Sequence, residues 1–281
     1  MQDDKSITII SPTRPGILSA WTALWKYRSL YAELFKQTTM RRFRDTALGP
    51  IWLLLRPLIP AIATMMVFTR VVPISTGIPY PLFFMSGYIL WRVFSGIVSF
   101  VPRAMRMNRG MMKKMYFPRL LVPLASIGIP MAEFFVTVGV FVTLIVFFSI
   151  KGEFQYVLRA QFLLFPVLLL LTMLLAVGVG MVMGVLSLAA RDFLYTIPYV
   201  MQVWMLATPV IYHADLIPQK WRWLFLFNPM AGLIEAAKWS LLGQGRFNAL
   251  HLFCAVFMVA VSLVATTAFF LRAEDVLMDD I

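Results

Sequence analysis

The sequence predicts an all-α integral membrane protein with six transmembrane helices, an N-terminal amphipathic interfacial helix, and short re-entrant helices before the last span. Three observations carry that prediction. The chain of 281 residues is 60% hydrophobic and only 14% charged, against roughly 45–50% and about 25% in soluble domains. Six apolar runs approach or exceed the ~20 residues a helix needs to cross a hydrocarbon core about 30 Å thick. The cations behind the net charge of +12 gather between those runs. That placement suits membrane topology rather than a nucleic-acid-binding face.

Residues 1–36 read as a cytoplasmic N-terminus that carries the start of the interfacial helix. Its opening stretch, MQDDKSITIISPTRPG, is polar and lacks an apolar h-region, so it does not read as a cleaved signal peptide. Within 17–46, Ile17, Trp21, Leu24, Tyr31 and Phe35 fall near helical spacing on one side, and Lys26, Ser29, Glu33 and Lys36 populate the other. A helix so divided, with Trp and Tyr at its apolar edge, lies along the membrane surface. The membrane domain then runs over 37–272, with spans at about 51–71, 80–102, 120–149, 161–187, 194–212 and 249–271. Prolines such as Pro57, Pro60, Pro130, Pro198 and Pro209 predict kinks, tolerated where neighbouring helices satisfy the freed carbonyls. The connection 213–248 is too long for a turn and too apolar for an ordinary loop. Asn228-Pro229 in its middle marks a turn or a helix start, so short helices are expected to enter the outer leaflet and return. Residues 273–281 form a cytoplasmic tail.

Orientation follows from the positive-inside bias. With both termini cytoplasmic, the inner side collects the cations before the first span, those of 103–119, and Arg191 and Arg272. The outer side holds only Lys151, Arg159, Lys220, Arg222, Lys238 and Arg246. The connection around RGMMKKMYFPRLLVP at 109–123 therefore faces the cytoplasm.

Chemistry is sparse. No GxxxxGK[ST] segment occurs, so ATP hydrolysis by a P-loop is not expected of this chain. Cys254 is the single cysteine, and His213 and His251 have no partners at metal-ligand spacing; no metal site and no catalytic residue is predicted. In VGVGMVMG at 177–184, Gly180 and Gly184 read as a close helix-packing pair. Some ionisable residues are embedded in spans, among them Arg56, Arg92 and Glu133. Arg92 and Glu133 admit two readings, a polar path or gating pair, and an ion pair that fixes helix register. Arg56, near the cytoplasmic edge, suits snorkelling or lipid-phosphate contact. Tyr195, Tyr199 and Trp204 on the fifth span serve either as interface anchors or as flat faces lining a lumen for sugar rings.

Four segments together resemble one family. TTMRRFRDTALGPIWLLLRP at 38–57, KKMYFPRLLVP at 113–123, LAARDFLYTIPYVMQVWMLATPVIY at 188–212 and IPQKWRWLFLFNPMAGLIEAAKWSLL at 217–242 resemble, in order and spacing, the permease subunit of bacterial ABC-2 type polysaccharide exporters. That family exports O-antigen, teichoic acid and related lipid-linked glycans, and the likeness covers about 36–272. The resemblance implies a homodimer in the bacterial inner membrane, served by two copies of a separate cytoplasmic ATPase that binds ATP and Mg. It implies a gate helix with Arg41, Arg42 and Arg44 at lipid headgroups. By matching position, 103–119 would hold the helix that docks on the ATPase, with Arg106, Arg109, Lys113, Lys114, Tyr116 and Phe117 as contacts. Arg191 and Asp192 would form a second contact. Two departures stand out: Lys238 where the family often has arginine, and FRDTALG where lysine-glutamine is common before the threonine. An ABC-2 exporter of another lipid or a drug, and a membrane-embedded lipid-modifying enzyme, are the alternatives.

Overall fold

The computed structural model describes residues 28–44, 48–71, 76–114, 120–157, 159–243 and 249–279; side chains are described for these except 37–44, 113–114, 222 and 271–279. Every regular element among the described residues is helical. Five helical segments are long and apolar enough to cross a membrane: Ile51–Val71, Tyr80–Met107, Leu121–Ile150, Ala160–Ala189 and Ala249–Phe270. They correspond to the first four expected spans and the last.

The first helix, α1 (Arg28–Arg44), buries Leu34 and rests on the later helices α5 (Leu121–Ala125) and α6 (Gly128–Ile150). Its apolar and polar residues are not segregated onto opposite faces. The residues expected to supply the apolar stripe at 17–24 lie outside the described chain. Helix α2 (Ile51–Met66) begins at Pro50 and carries Pro57 and Pro60 inside it, then relaxes into a π-turn over Val67–Val71. The third apolar run is broken at Ser126-Ile127, so α5 and α6 are separate pieces. Gly128 and Pro130 explain the break, since Pro130 offers no N–H to the carbonyl four residues earlier.

Helix α3 (Tyr80–Met107) is the axis of the fold, with most of its residues buried. It runs antiparallel to α6: Arg92 pairs with Glu133, and Gly96 meets Pro130 one turn further on. It runs parallel to α7 (Phe165–Ala189), which a 3₁₀ turn at Ala160–Leu164 precedes. Val101 faces Gly180 and Met105 faces Gly184, so the small-residue pair serves close helix packing, as its spacing predicts. The two glycines differ in what a methyl would strike. At Gly180 an added Cβ lies 2.9 Å from the stiff, branched Cβ of Val101; at Gly184 it meets only the flexible thioether of Met105. Gly180→Ala is therefore expected to cost about 1–3 kcal/mol and Gly184→Ala distinctly less. Thermal unfolding in detergent checks the order, and equal losses would contradict it.

The fifth expected span takes a different form. Helix α8 (Asp192–Leu206) has 15 residues, a rise of about 22 Å, and ends in turns through Ala207–Val210. Thr208 precedes Pro209, and a residue before proline is driven out of helical geometry. The chain nonetheless continues along α3, antiparallel to it. The Trp204 and Phe94 rings stand 5.0 Å apart, and the Tyr80 hydroxyl donates to the Ile211 carbonyl at 3.0 Å. Beyond it come 3₁₀ turns at Ala214–Leu216 and Gln219–Trp221, then α9 (Arg222–Leu226), α10 (Pro229–Leu242) and α11 (Ala249–Asp279). Asn228-Pro229 is a helix start: the Asn228 side chain caps α10 by accepting from the Met230 N–H, and proline takes the first helical position. Gly243 closes α10 in the left-handed conformation, φ 67°. Helix α11 packs on α7 and α10 and runs on through most of the residues read from sequence as a tail.

Candidate functional site

Because α3 and α7 run parallel, their C-terminal ends lie together, and this end of the molecule is basic. Arg106, in the last turn of α3, donates from its guanidinium to the Ser187 carbonyl near the end of α7. Carbonyls of a final helical turn lack intrahelical partners, and a cation suits that negative end. The contact fastens the connection after α3 to the one after α7. Beyond Asn108, α4 (Arg109–Lys114) follows. Arg109 is half-buried, Met112 is buried in this chain's own core, and Met111 packs against it. Lys113 and Lys114 close α4 but their side chains, like Tyr116 and Phe117 entirely, lie outside the described residues. The side chains of Arg41, Arg42 and Arg44 in the last turns of α1 do so too. At the second connection Arg191 and Asp192 are both exposed. Asp192 sits in the first turn of α8, where a negative charge favours the helix dipole.

Above this end lies a cavity of about 620 Å³ between α2, α3, α6 and α8. Helical periodicity explains its lining. Arg56, Pro60 and Thr64 recur every fourth residue on α2; Arg92, Ser95, Ser99 and Arg103 follow the same rhythm on α3. Gln202 enters from α8 and Glu133 from α6. Arg92 and Glu133, left open between a path and a register pair, form an ion pair: Nη2 stands 2.7 Å from Oε2, with Arg92 22% exposed and Glu133 only 1%. The contact is ionic rather than well-aligned hydrogen bonding, and Glu133 Oε1 and Arg92 Nε have no hydrogen-bonding partner among the described residues. A buried carboxylate of this kind favours polar surroundings inside the cavity. Tyr88 fixes the wall by donating to the Pro57 carbonyl at 3.0 Å.

The expected aromatics of the fifth span divide. Tyr195 and Tyr199, four residues apart on α8, point away from the rest of the chain, 59% and 72% exposed. Arg191 stands 5.9 Å from the Tyr195 ring. Trp204 is engaged within the fold instead, donating from Nε1 to Asn228 Oδ1 at 3.1 Å. Asn228 Nδ2 in turn donates to Thr208 Oγ1 at 2.9 Å and the Ala207 carbonyl at 3.3 Å, so one side chain ties the start of α10 to the end of α8.

From sequence, Lys238 is one of the outer cations and a departure from the family pattern. It is buried on α10, and its Nζ donates to the carbonyls of Pro209 at 2.6 Å, Val210 at 3.1 Å and Tyr212 at 3.3 Å, 3.7 Å from the Phe83 ring centroid. Its anchor points are the carbonyls freed where α8 gives out. The signal was a lysine inside an apolar helix beside Pro209, though its three acceptors are 26 to 29 residues away. His213 lies over Phe83 at 4.2 Å. Burial first, then the Lys238 charge, lowers its pKa from the ordinary histidine value, against the opposing influence of Asp215 and Thr76. His251 is paired with Glu235 at 2.9 Å, far in sequence from His213 and on other helices.

Comparison with known proteins gives concordant results. The family described as ABC-2 type transporter matches residues 29–242. An O-antigen export system permease protein RfbA from Klebsiella pneumoniae is 23% identical over 194 residues, 69% of this chain and 72% of the relative. A second from that organism is 25% identical over the same extent. One from Myxococcus xanthus is 24% identical over 216 residues, 76% of this chain and 80% of its own.

Proposed function

The chain belongs to the ABC-2 type transporter family, and from that premise we propose that it is the permease subunit of an ATP-driven exporter. Its cargo in this reading is a lipid-linked polysaccharide of the O-antigen type, moved across a bacterial inner membrane. The names of the three relatives support the cargo. The observation that carries the mechanism is the basic end, where the Arg106–Ser187 contact joins the connections after α3 and α7. A partner docking on both would tilt α3 and α7 as one body.

Two copies of this chain form the conduit, and two copies of a cytoplasmic ATPase bind ATP and Mg and supply the work. No covalent step falls to this chain. The differential affinity of closed and open ATPase for nucleotide shifts the dimer between conformers. Both termini are cytoplasmic, so that the cationic connections stay inside. Helix α8 with the turns to Tyr212 is the fifth of six crossings in chain order, antiparallel to α3, and the short helices over 214–242 are the re-entrant outer elements. Tyr195 and Tyr199 face the conduit. A phenol hydroxyl turned toward hydrocarbon is costly, and a hydrated lumen relieves that cost. Trp204, held by Asn228, keeps the wall in place.

Cells whose only copy carries Lys113→Glu/Lys114→Glu, with membrane level verified, are expected to lose most surface polysaccharide and retain it inside. Undiminished export would refute docking through α4. Turnover of a lipid by the purified chain alone would favour the enzyme alternative. Resistance to a drug that depends on this chain, with glycan export intact, would favour another cargo.

A further inference from the structure

A second cavity, of about 290 Å³, lies between α3, α6, the start of α7 and the end of α10, with neither α2 nor α8 in its wall. Val138, Phe141, Val142 and Ile145 line it from one face of α6, three and four residues apart. The Tyr156 hydroxyl is the one polar side-chain group in the wall. A cavity so lined does not hold water, and since one of about 150 Å³ takes benzene, this one has room for about twelve carbons. Its depth matches one leaflet. Val138 lies twelve residues before the end of α6 at Ile150, about 18 Å along the helix, and half of a hydrocarbon core is about 15 Å. Ile89, also in the wall, lies nine residues from the start of α3 at Tyr80, so the slot sits in the leaflet opposite the basic end. Val142 is 51% exposed, and the slot opens there toward the bilayer. At the shallow end Gln161 donates to the Trp239 carbonyl at 2.7 Å, and Ser240 donates to the Gln161 carbonyl at 2.8 Å, fixing the entry of α7 against the end of α10. Exposed Arg159 lies between Tyr156 and Phe162 in the chain, and a Cβ at Gly243 would stand 2.9 Å from its Nη1. Its guanidinium therefore rests beside the end of α10, where Leu241 lines the slot. Arg159 has no carboxylate partner among the described residues, whereas the neighbouring cation Lys151 stands 3.9 Å from Glu153.

We propose that this slot binds one acyl chain of a bilayer phospholipid, with the phosphate of that lipid at Arg159. The length and apolar lining of the slot select an extended hydrocarbon chain. A helix of a second copy, about 10 Å across, is too wide to enter a slot of this volume and depth. The surrounding leaflet supplies acyl chains directly at the Val142 opening. At the mouth a guanidinium fork matches two phosphate oxygens, and the Tyr156 phenol sits at the level where a lipid carries its ester groups. The bound chain adds dispersion contacts between α6 and its neighbours α3 and α10 at this end. The proposal rests only on the chain's spanning a membrane, and not on its cargo or on an ATPase.

The test is photolabelling of the purified full chain in maltoside detergent with phosphatidylglycerol that carries a diazirine in one acyl chain, followed by peptide mapping. Saturable labelling is expected within 138–145 or 162–165, displaced by unlabelled phosphatidylglycerol. Labelling around Phe253 and Phe257, exposed on α11, should rise without saturating and serves as the internal control. Val138→Trp, which fills the deep end, should cut the saturable labelling about fivefold or more and leave the α11 signal unchanged, so that misfolding is distinguished from a blocked slot. Val142→Trp repeats the test from an exposed position. Arg159→Gln should weaken binding of the phosphatidylglycerol probe about tenfold, the loss of a charge-assisted hydrogen bond. The matching diacylglycerol probe, which lacks the phosphate, should stay within twofold. Labelling of the slot that does not saturate, or that survives both tryptophan variants, overturns the proposal, as does an Arg159→Gln effect equal for the two probes. Displacement by a long-chain isoprenyl phosphate at a tenth of the phosphatidylglycerol concentration would make a cargo lipid the occupant and overturn the assignment. Efficient disulfide formation between two copies of Val142→Cys, in a Cys254→Ser background, would put a second chain over the slot and overturn it too. None of these results bears on export, and failure of the export experiment leaves this site standing.

Discussion

Lys238→Met is expected to destabilise the protein by about 4 kcal/mol, seen as a lowered midpoint of thermal unfolding in detergent. The ammonium serves three carbonyls in a stretch that has no helical N–H groups to offer them. A hydrogen bond to a charged donor has a net worth of about 1.5–3 kcal/mol, desolvation included. Burial penalises the ammonium and pushes its pKa well below the ordinary lysine value, which offsets part of the three bonds, so the total falls below three times the upper value. Methionine fills the volume and still leaves the Pro209, Val210 and Tyr212 carbonyls stranded. Lys238→Arg keeps the charge and should lose less, but the site is tight. A methyl at Gly87 would stand 2.9 Å from Lys238 Cε, so the neighbouring helix presses on the lysine stem. Wild type above arginine above methionine is the expected order, and a methionine variant as stable as wild type would remove Lys238 as the anchor of the fifth crossing.

Hydropathy made five of the spans legible because each is a long apolar run whose chemistry is local. The fifth apolar run was legible as apolar but not as a helix of only 15 residues. Its helix ends at Leu206, just before Thr208-Pro209, and what holds the turns that follow is a lysine on another helix. Likewise Gly180 and Gly184 carry their packing role in their spacing, whereas the break before Pro130 is a choice between a kink and a stop that neighbours decide. The site was half legible. Arg92 and Glu133 announce themselves by being charged inside apolar runs, yet their pairing depends on α3 and α6 being antiparallel and in register. Arg103 reads in sequence as one more topology-setting cation at the end of a run. Only the helical repeat on α3 puts it on the wall of the cavity that Arg56 lines from α2.

The Arg92–Glu133 pair supports the other large expectation, and its two halves are not equivalent. Glu133 is almost wholly buried while Arg92 faces the cavity. Arg92→Met leaves a carboxylate enclosed without its counter-charge, and removal of one partner from a buried pair typically costs about 3–5 kcal/mol. Glu133→Gln leaves an arginine that turns toward polar space and hydrates, so its cost should fall near 1–2 kcal/mol, that of an ordinary buried hydrogen-bond loss. The double variant Arg92→Met/Glu133→Leu strands neither charge, and apolar replacement of a buried pair is often neutral. It should therefore recover most of the stability lost by Arg92→Met alone, giving a coupling of at least about 3 kcal/mol in a double-mutant cycle. Thermal unfolding of the wild type, Arg92→Met, Glu133→Leu and the double variant measures it. If the single losses are equal and simply add, the pair does not fix the register of α3 on α6, and Glu133 serves the cavity rather than the fold. If the double variant is stable but polysaccharide export falls, the pair has a second duty in the path itself, set by the charge it presents to whatever passes.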